Sequence, residues 1–260
     1  MEINNSSVAV TIDIDWACES AIEYTLDYFA NMKIPVTVFT THDSKVIRER
    51  LDNLEVGLHP YFHLDSMHGA TIEETIESVL KLPHNIKSFR CHRFITSNEI
   101  QKGMKDAGMI SSSNICTNLE TINPFYNRYN ILEFPIFWED GGFLYNGHDL
   151  TISQKFVKNI SSNGLKTIVI HPMHFALNTP DWDFMVKIKC NTNRTEWNSM
   201  SGDTLKKLKN RNRGIFNFLE DIFNQIKRSC DMFCTIGDMT TLINNTNNGQ
   251  IGINSSLKIS

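Results

Sequence analysis

The chain has 260 residues, 41% of them hydrophobic and 21% charged, with a formal net charge of −4. That length and mix fill one large α/β core or two small ones, and the acidic balance excludes a whole-surface electrostatic nucleic-acid binder. No apolar run reaches membrane-spanning length, and the opening Met-Glu-Ile-Asn-Asn-Ser-Ser lacks the basic and apolar regions of a secretory leader, so a cytoplasmic location is expected.

Taken in chain order, short β-type runs alternate with longer helical stretches. Residues 8–14 are β-branched, apolar on both faces and ended by acids, as in a buried strand. Residues 19–32 carry helical spacing through Ile22, Leu26 and Phe29. A strand at 35–39, a short helix at 44–51 and a strand at 55–58 follow. Thr71 and Glu74 have capping-box spacing and open a helix over 71–82. A fourth strand at 88–91 leads to a helix at 97–107 stopped by Gly108, and then to a short fifth strand at 109–112. Residues 131–138 give a sixth strand, which Pro135 places at an edge or a bulge. A helix at 152–160, a seventh strand at 166–170, a helix at 205–226 and a last strand at 232–236 complete the series.

Such alternation implies a parallel sheet with crossover helices, and this number of units favours a distorted (β/α) barrel of about seven strands over an open sheet. A single domain is expected over residues 1–243, with a polar insertion at 178–213 and a loose, Asn- and Gly-rich tail at 244–260. The six cysteines form no C-x-x-C pair, so they read as free thiols rather than a metal site or disulfide framework.

The residues that carry chemistry fall at strand ends, where such barrels place their active sites. Asp13 and Asp15 are two apart and leave one face of a strand, so one can bind a metal while the other takes a proton; the competing reading is an acidic strand end that caps the next helix. His59 and His63 are four apart, which on a helical turn would aim both rings at one ion; otherwise they are one core and one surface histidine. His171 ends the seventh strand as a candidate general acid, and His174 follows as a second acid or a substrate contact. Arg90 can orient a catalytic carboxylate and hold its pKa down. Trp16, Arg93 and Trp138 are further candidate substrate contacts. In the insertion, Trp182, Trp197 and the basic run at 206–213 can stack on a sugar and hold a diphosphate, or can simply form a solvated helix start with two anchoring tryptophans.

The order of these motifs resembles the polysaccharide deacetylases, the NodB-homology carbohydrate esterases, and within them the WbmS-like deacetylases of surface-polysaccharide clusters. The resemblance runs from Val8 to about Leu242. The family's T-F-D-D reads here Thr-Ile-Asp-Ile-Asp, a D-x-D form shared with the deformylases of lipid A arabinose modification. Its H-x-x-x-H matches His59 and His63, its R-x-P-Y keeps only Arg90, with His92 and Arg93 in place of Pro and Tyr, and its L-x-x-H matches Ile168-Val-Ile-His171. The nearest counterpart of its Asp-Trp motif is Phe137-Trp138-Glu139-Asp140. The resemblance implies that Asp13 is the base, that Asp15, His59 and His63 hold one divalent ion, zinc by default with cobalt, nickel or manganese as alternatives, and that His171 is the acid. It implies metal-dependent removal of an N-acetyl group from an amino sugar. The absence of a leader points to a nucleotide-linked or lipid-linked substrate at the inner face of the membrane. A deformylase on the same fold and an inactive, carbohydrate-binding barrel are the competing readings.

Overall fold

The structure is a computed structural model that describes residue 3 and residues 5–255, with side chains described through residue 246. The chain opens with β1 (Ser6–Asp13), α1 (Glu19–Asn31), β2 (Val36–Thr40), α2 (Lys45–Arg50), β3 (Glu55–Leu58), α3 (Ile72–Val79), β4 (Ser88–Phe89), α4 (Asn98–Asp106) and β5 (Ser111–Ser112). It continues with β6 (Phe125–Tyr126), β7 (Leu132–Glu133), β8 (Ile136–Glu139), α5 (Asp140–Tyr145), α6 (Gln154–Ile160), β9 (Gly164–Ile170) and α7 (Pro172–Leu177). It ends with α8 (Trp182–Cys190), α9 (Arg194–Asn198), α10 (Gly202–Leu208), α11 (Ile215–Ser229), β10 (Met232–Cys234) and α12 (Ile236–Ser255).

Parallel pairing runs β5–β4–β3–β2–β1–β9–β8. β7 and β8 lie on one stretch of chain that Phe134-Pro135 interrupts, because proline cannot donate to a ladder. Its first half pairs with β5 and its second with β9, and a bridge from Cys116 to Ile136 carries the β5 side onward. The pairing path therefore returns on itself, as a distorted barrel of seven strands. β6 adds an antiparallel flap on β7, and β10 takes the first half of β1. Neither of those two pairings is part of the ring.

Alternation sorts the side chains of the central strand. Val8, Val10 and Ile12 face Ala21, Ile22, Leu26 and Phe29 of α1 in the main core. Ala9, Thr11 and Asp13 share the other face. Ala9 belongs to a second cluster with Leu132, Phe134 and Leu165, closed by Ile236, Met239 and Ile243 of α12. The capping box at Thr71 and Glu74 is present, and Ser44 and Ser97 cap α2 and α4.

Three expectations change. The helix expected over 205–226 is two helices, α10 and α11. Asn178, in a left-handed conformation (φ 49°), donates to the carbonyls of Asn210 and Asn212 and accepts from the Phe216 backbone N–H, so the connecting loop is tied down rather than helical. Gly214 passes so close that a Cβ there would lie 2.0 Å from the Asn178 carbonyl. The insertion at 178–213 is largely helical, as α8, α9 and α10. Residues from 244 onward continue α12 as far as Ser255, and residues 256–260 lie outside the described residues.

Candidate active site

The C-terminal ends of β1, β3, β4, β8 and β9 deliver the site. Asp13 is the last residue of β1 and Arg90 follows β4. Arg90 is fully buried, yet every arm of its guanidinium is engaged. Nη1 donates to Asp13 Oδ1 and to Thr11 Oγ1, each at 2.8 Å, while Nε and Nη2 donate to the Ser113 carbonyl (3.1 Å) and hydroxyl (2.9 Å). The fork stands over the Phe39 ring, 4.5 Å from its centroid. A planar, multiply bonded guanidinium fixes the Asp13 carboxylate in direction as well as charge.

Asp15 is the opposite case. It is 1% exposed and neither carboxylate oxygen has a hydrogen-bond partner among the described residues. Around it stand His59 Nε2 and His171 Nε2, each 3.6 Å from Oδ1, and His92 Nδ1, 3.3 Å from Oδ2. Burial alone would raise its pKa; His171, His92 and His59 outweigh that and hold the carboxyl well below the usual range. Both ring nitrogens of His59 are also buried without partners. Burial lowers the His59 pKa to about 4 against the pull of Asp13 and Asp15, which leaves a neutral imidazole at neutral pH.

His63 is placed differently from the helical-turn expectation. Residues 59–62 have no helical structure, because the ladder continues through them: His59 N–H donates to the Thr40 carbonyl, and His92 N–H to that of Pro60. His59 thus sits at the strand end and His63 in the loop beyond. The His63 Nδ1 lies 2.7 Å from the Leu64 carbonyl, which places its proton there and leaves a lone pair on Nε2. That Nε2 is buried without a partner. The His63 ring lies 5.7 Å from that of His92. Three sets of possible ligands have all their atoms within 4.8 Å of one another: Asp15–His59–His92, Asp13–Asp15–His171 and Glu139–Asp140–His171. Among the described residues none of these sets contains His63.

His171 follows β9 and is clamped twice by Asp140, through its backbone N–H (2.8 Å) and through Nδ1 (2.5 Å). Nδ1 is therefore the fixed end, and Nε2 faces Asp15. Burial works to lower its pKa, but Asp140, Asp15 and Glu139 raise it well above the ordinary histidine value. Glu139 caps α5 at the Gly142 N–H (2.5 Å). A Cβ on Gly141 or Gly142 would fall 2.6 or 2.5 Å from the Glu139 carboxylate, so the Gly-Gly pair permits this close approach.

The four candidate substrate contacts separate. Trp16 takes a left-handed conformation (φ 48°), rare for a bulky residue, and stacks on His171 with ring centroids 5.9 Å apart. Arg93 is exposed beside His92, also left-handed (φ 54°). Trp138 is 4% exposed and packs on Phe143 and Phe218, where it forms part of the wall of a 570 Å³ cavity with Cys116, Glu139 and His148. His174 is buried beside Thr179 and its pKa is lowered to about 4 by burial, so near neutrality it is not an imidazolium able to act as a second acid.

Sequence reasoning passed over His92 as a metal-type residue and did not assign Asp140. The strand-end rule that found Arg90 also covers His92, and a carboxylate after β8 is the natural neighbour of a histidine after β9, since the two strands pair. Lys189 was not legible as a site residue, and Trp197, one of the two tryptophans expected to stack on a sugar or to anchor the insertion, is buried against Trp16. The Lys189 Nζ lies 3.8 Å from the Trp16 ring centroid, and the Trp197 Nε1 donates to the Trp16 carbonyl (2.5 Å).

The fold has solved counterparts. A protein of Bordetella bronchiseptica assigned to polysaccharide deacetylation in O-antigen biosynthesis superposes with a TM-score of 0.73 at 20% identity, over 86% of this chain and 91% of that one. A protein of Mycobacterium smegmatis assigned as a polysaccharide deacetylase superposes with a TM-score of 0.55 at 11% identity, over 94% and 92%. No curated protein sequence matches the chain. A family model does: the WbmS-like polysaccharide deacetylase model matches residues 10–189, and the chain belongs to that family.

Proposed function

We propose that the chain is a metal-dependent amide hydrolase that removes an N-acetyl group from an amino sugar, carried on a nucleotide- or lipid-linked precursor of a surface polysaccharide. The observation that carries this reading is a group of buried, metal-type atoms without hydrogen-bond partners: both oxygens of Asp15, both nitrogens of His59 and Nε2 of His63. Buried polar atoms are ordinarily satisfied, and this donor set fits a divalent cation. Asp15 and His59 would hold it, with His63 or His92 as the further imidazole. Zinc suits two histidines and one carboxylate, and cobalt, nickel and manganese suit them as well. When bound, such an ion supplies Lewis acidity to an acyl oxygen and lowers the pKa of water.

The remaining roles fall to side chains whose geometry separates them. Asp13, aimed by Arg90, takes the proton from the water that attacks the acyl carbon. His171, protonated and held on Asp140, gives the proton on Nε2 to the leaving nitrogen as the C–N bond breaks. The products are a carboxylate and a free amino sugar. An acid–base pair with one member held by an arginine and the other by a carboxylate fits this division of labour.

The assignment of the Bordetella relative to O-antigen biosynthesis supports a surface-polysaccharide precursor as substrate. Such precursors are assembled in the cytoplasm, at the inner membrane face when lipid-linked. Among the described residues no helix is long and apolar enough to cross a membrane. The test is acyl release by the full chain, stripped by chelator and then supplied with zinc or cobalt, from free, nucleotide-linked and lipid-linked N-acetyl and N-formyl amino sugars. Acetate released from a linked sugar only after metal is restored is the expected result. Formate alone would make the enzyme a deformylase, and a protein that takes up neither metal nor releases any acyl group would overturn the proposal.

A further inference from the structure

Beside the catalytic groups lies a wall that the proposed hydrolysis does not use. Trp16 stacks on His171 and is held from behind by Trp197, which belongs to α9 of the 178–213 segment. On this pair rests the ammonium of Lys189, from the last turn of α8, 3.8 Å from the Trp16 ring centroid and 5.8 Å from that of Trp197. Lys189 has no carboxylate within 4.0 Å among the described residues, although Asp15 lies close enough for its charge to act on the ammonium. A lysine whose task was to neutralise Asp15 would pair with it; this one is parked on an aromatic face.

Two further cations stand in the same neighbourhood. Arg93 follows His92, itself 3.3 Å from Asp15, and Arg194 is the first residue of α9, three before Trp197. Both are exposed and neither has a carboxylate partner among the described residues. Their charges reach the hydroxyl of Tyr61, whose ring lies 3.8 Å from that of His92, and the charge of Arg93 also reaches Lys189. Three cations without carboxylate partners, close to the buried Asp15, attract an anion to the surface beside it while leaving Asp15 to its own chemistry.

We infer that Lys189, with Arg93 and Arg194, forms a subsite for an anionic group, a carboxylate or a phosphate, that the substrate carries near its acylated nitrogen. The subsite rests on the amide-hydrolase reading, and it narrows the substrate class to acidic or phosphorylated amino sugars. The 178–213 segment thereby acts as the specificity wall of the barrel: Trp197 steadies the stacking platform and Lys189 supplies the charge.

The test compares three probes on the zinc-supplied full chain: a neutral methyl N-acetylglucosaminide, N-acetylglucosamine 1-phosphate, and the corresponding N-acetyl hexosaminuronic acid. The reading is the ratio of kcat/KM for each anionic probe to that for the neutral one, in the wild type, in Lys189→Met and in Lys227→Met, a charge loss on the last turn of α11. A charge-assisted contact predicts that Lys189→Met lowers the ratio about tenfold or more. Lys227→Met should leave it unchanged, and added salt should erode it in the wild type and Lys227→Met more than in Lys189→Met. A preference for the phosphate identifies an anomeric phosphate as the recognised group; a preference for the uronic acid identifies a ring carboxylate. Equal ratios in wild type and Lys189→Met, with all three probes hydrolysed, would overturn the subsite and leave the hydrolase intact. If none of the probes is hydrolysed, calorimetric binding of N-acetylglucosamine 1-phosphate decides: tighter binding to wild type than to Lys189→Met supports the subsite, and equal binding overturns it.

Discussion

The two ends of the barrel both bury charge, and they treat it in opposite ways. At the N-terminal end of the strands Lys166 is fully buried, and its ammonium donates to Ser6 Oγ (2.8 Å), to the Gly164 carbonyl (3.0 Å) and to the Ser162 carbonyl. Every donor of that lysine has an acceptor, and the group is structural. At the C-terminal end Asp15 and His59 are as deeply buried, yet their side-chain polar atoms have no hydrogen-bond partner among the described residues. Their neighbours Trp16, Arg93 and Phe94 hold left-handed backbones, while no β9 residue near Lys166 apart from Gly164 does. Buried charge alone does not mark a site; buried charge left without a partner, beside strained backbone, does.

The largest effect expected from breaking this asymmetry is at His59. His59→Ala should abolish stoichiometric zinc, read by elemental analysis, and with it acyl release. Retention of full metal would sink the assignment of Asp15 and His59 as the ion's holders. The same measurement, run as competition with a chelator, separates the remaining imidazoles. Whichever of His63→Ala and His92→Ala weakens zinc by about tenfold or more is the further ligand. Next in size, Asp13→Asn should keep its metal and lose about 10²- to 10⁴-fold in turnover, the usual contribution of a general base. Near-normal turnover would remove Asp13 from that role.

The barrel and the strand-end positions of Asp13, Asp15, His59, Arg90 and His171 were legible in the sequence because each lies on or just after a short apolar strand. Strand ends are fixed by alternation and by flanking turns, which a sequence displays. The partners that cross between elements were not legible. Asp140 meets His171 because β8 and β9 pair, with Glu139 opposite Val169, and that register follows a shift between Ile136 and Trp138 inside β8. Lys189 meets Trp16 through the docking of the 178–213 segment, in which Trp197 donates to the Trp16 carbonyl and Asn178 ties down Asn210 and Asn212. The helical-turn geometry expected for His59 and His63 is absent for a related reason. Their spacing suits a helical turn, but the β3–β4 ladder continues through Pro60 and keeps the chain extended.

A smaller and sharper effect is expected from Asp140→Asn. Asp140 is, after the opposing effect of burial, the largest influence on His171 and raises its pKa. The acid must be protonated to donate, so turnover falls as pH rises through the pKa of His171. Removing the carboxylate lowers that pKa, and the alkaline limb of the kcat/KM profile should move to lower pH. Turnover at the optimum should drop by about 10- to 100-fold as the ring loses its fixed orientation. An unmoved alkaline limb would mean that His171 is not the titrating acid.

The smallest effect on chemistry, and the one that tests the other half of the comparison, is at Lys166. Lys166→Met keeps the length and removes the donors, so Ser6 Oγ and the carbonyls of Gly164 and Ser162 lose their shared partner. A loss of about 2 kcal/mol in unfolding free energy is expected, with zinc content and turnover unchanged. Burial also lowers the Lys166 pKa to about 8 from the ordinary 10.5. Between those values the unfolded chain binds more protons than the folded one, so the stability of the wild type rises with pH there and that of the variant lacks this contribution. The gap between the two proteins, measured by denaturant titration, should therefore widen from pH 8 toward pH 10. A variant that kept its stability but lost turnover would show that the two ends of the barrel are coupled, and that the satisfied charge at the bottom serves the unsatisfied ones at the top.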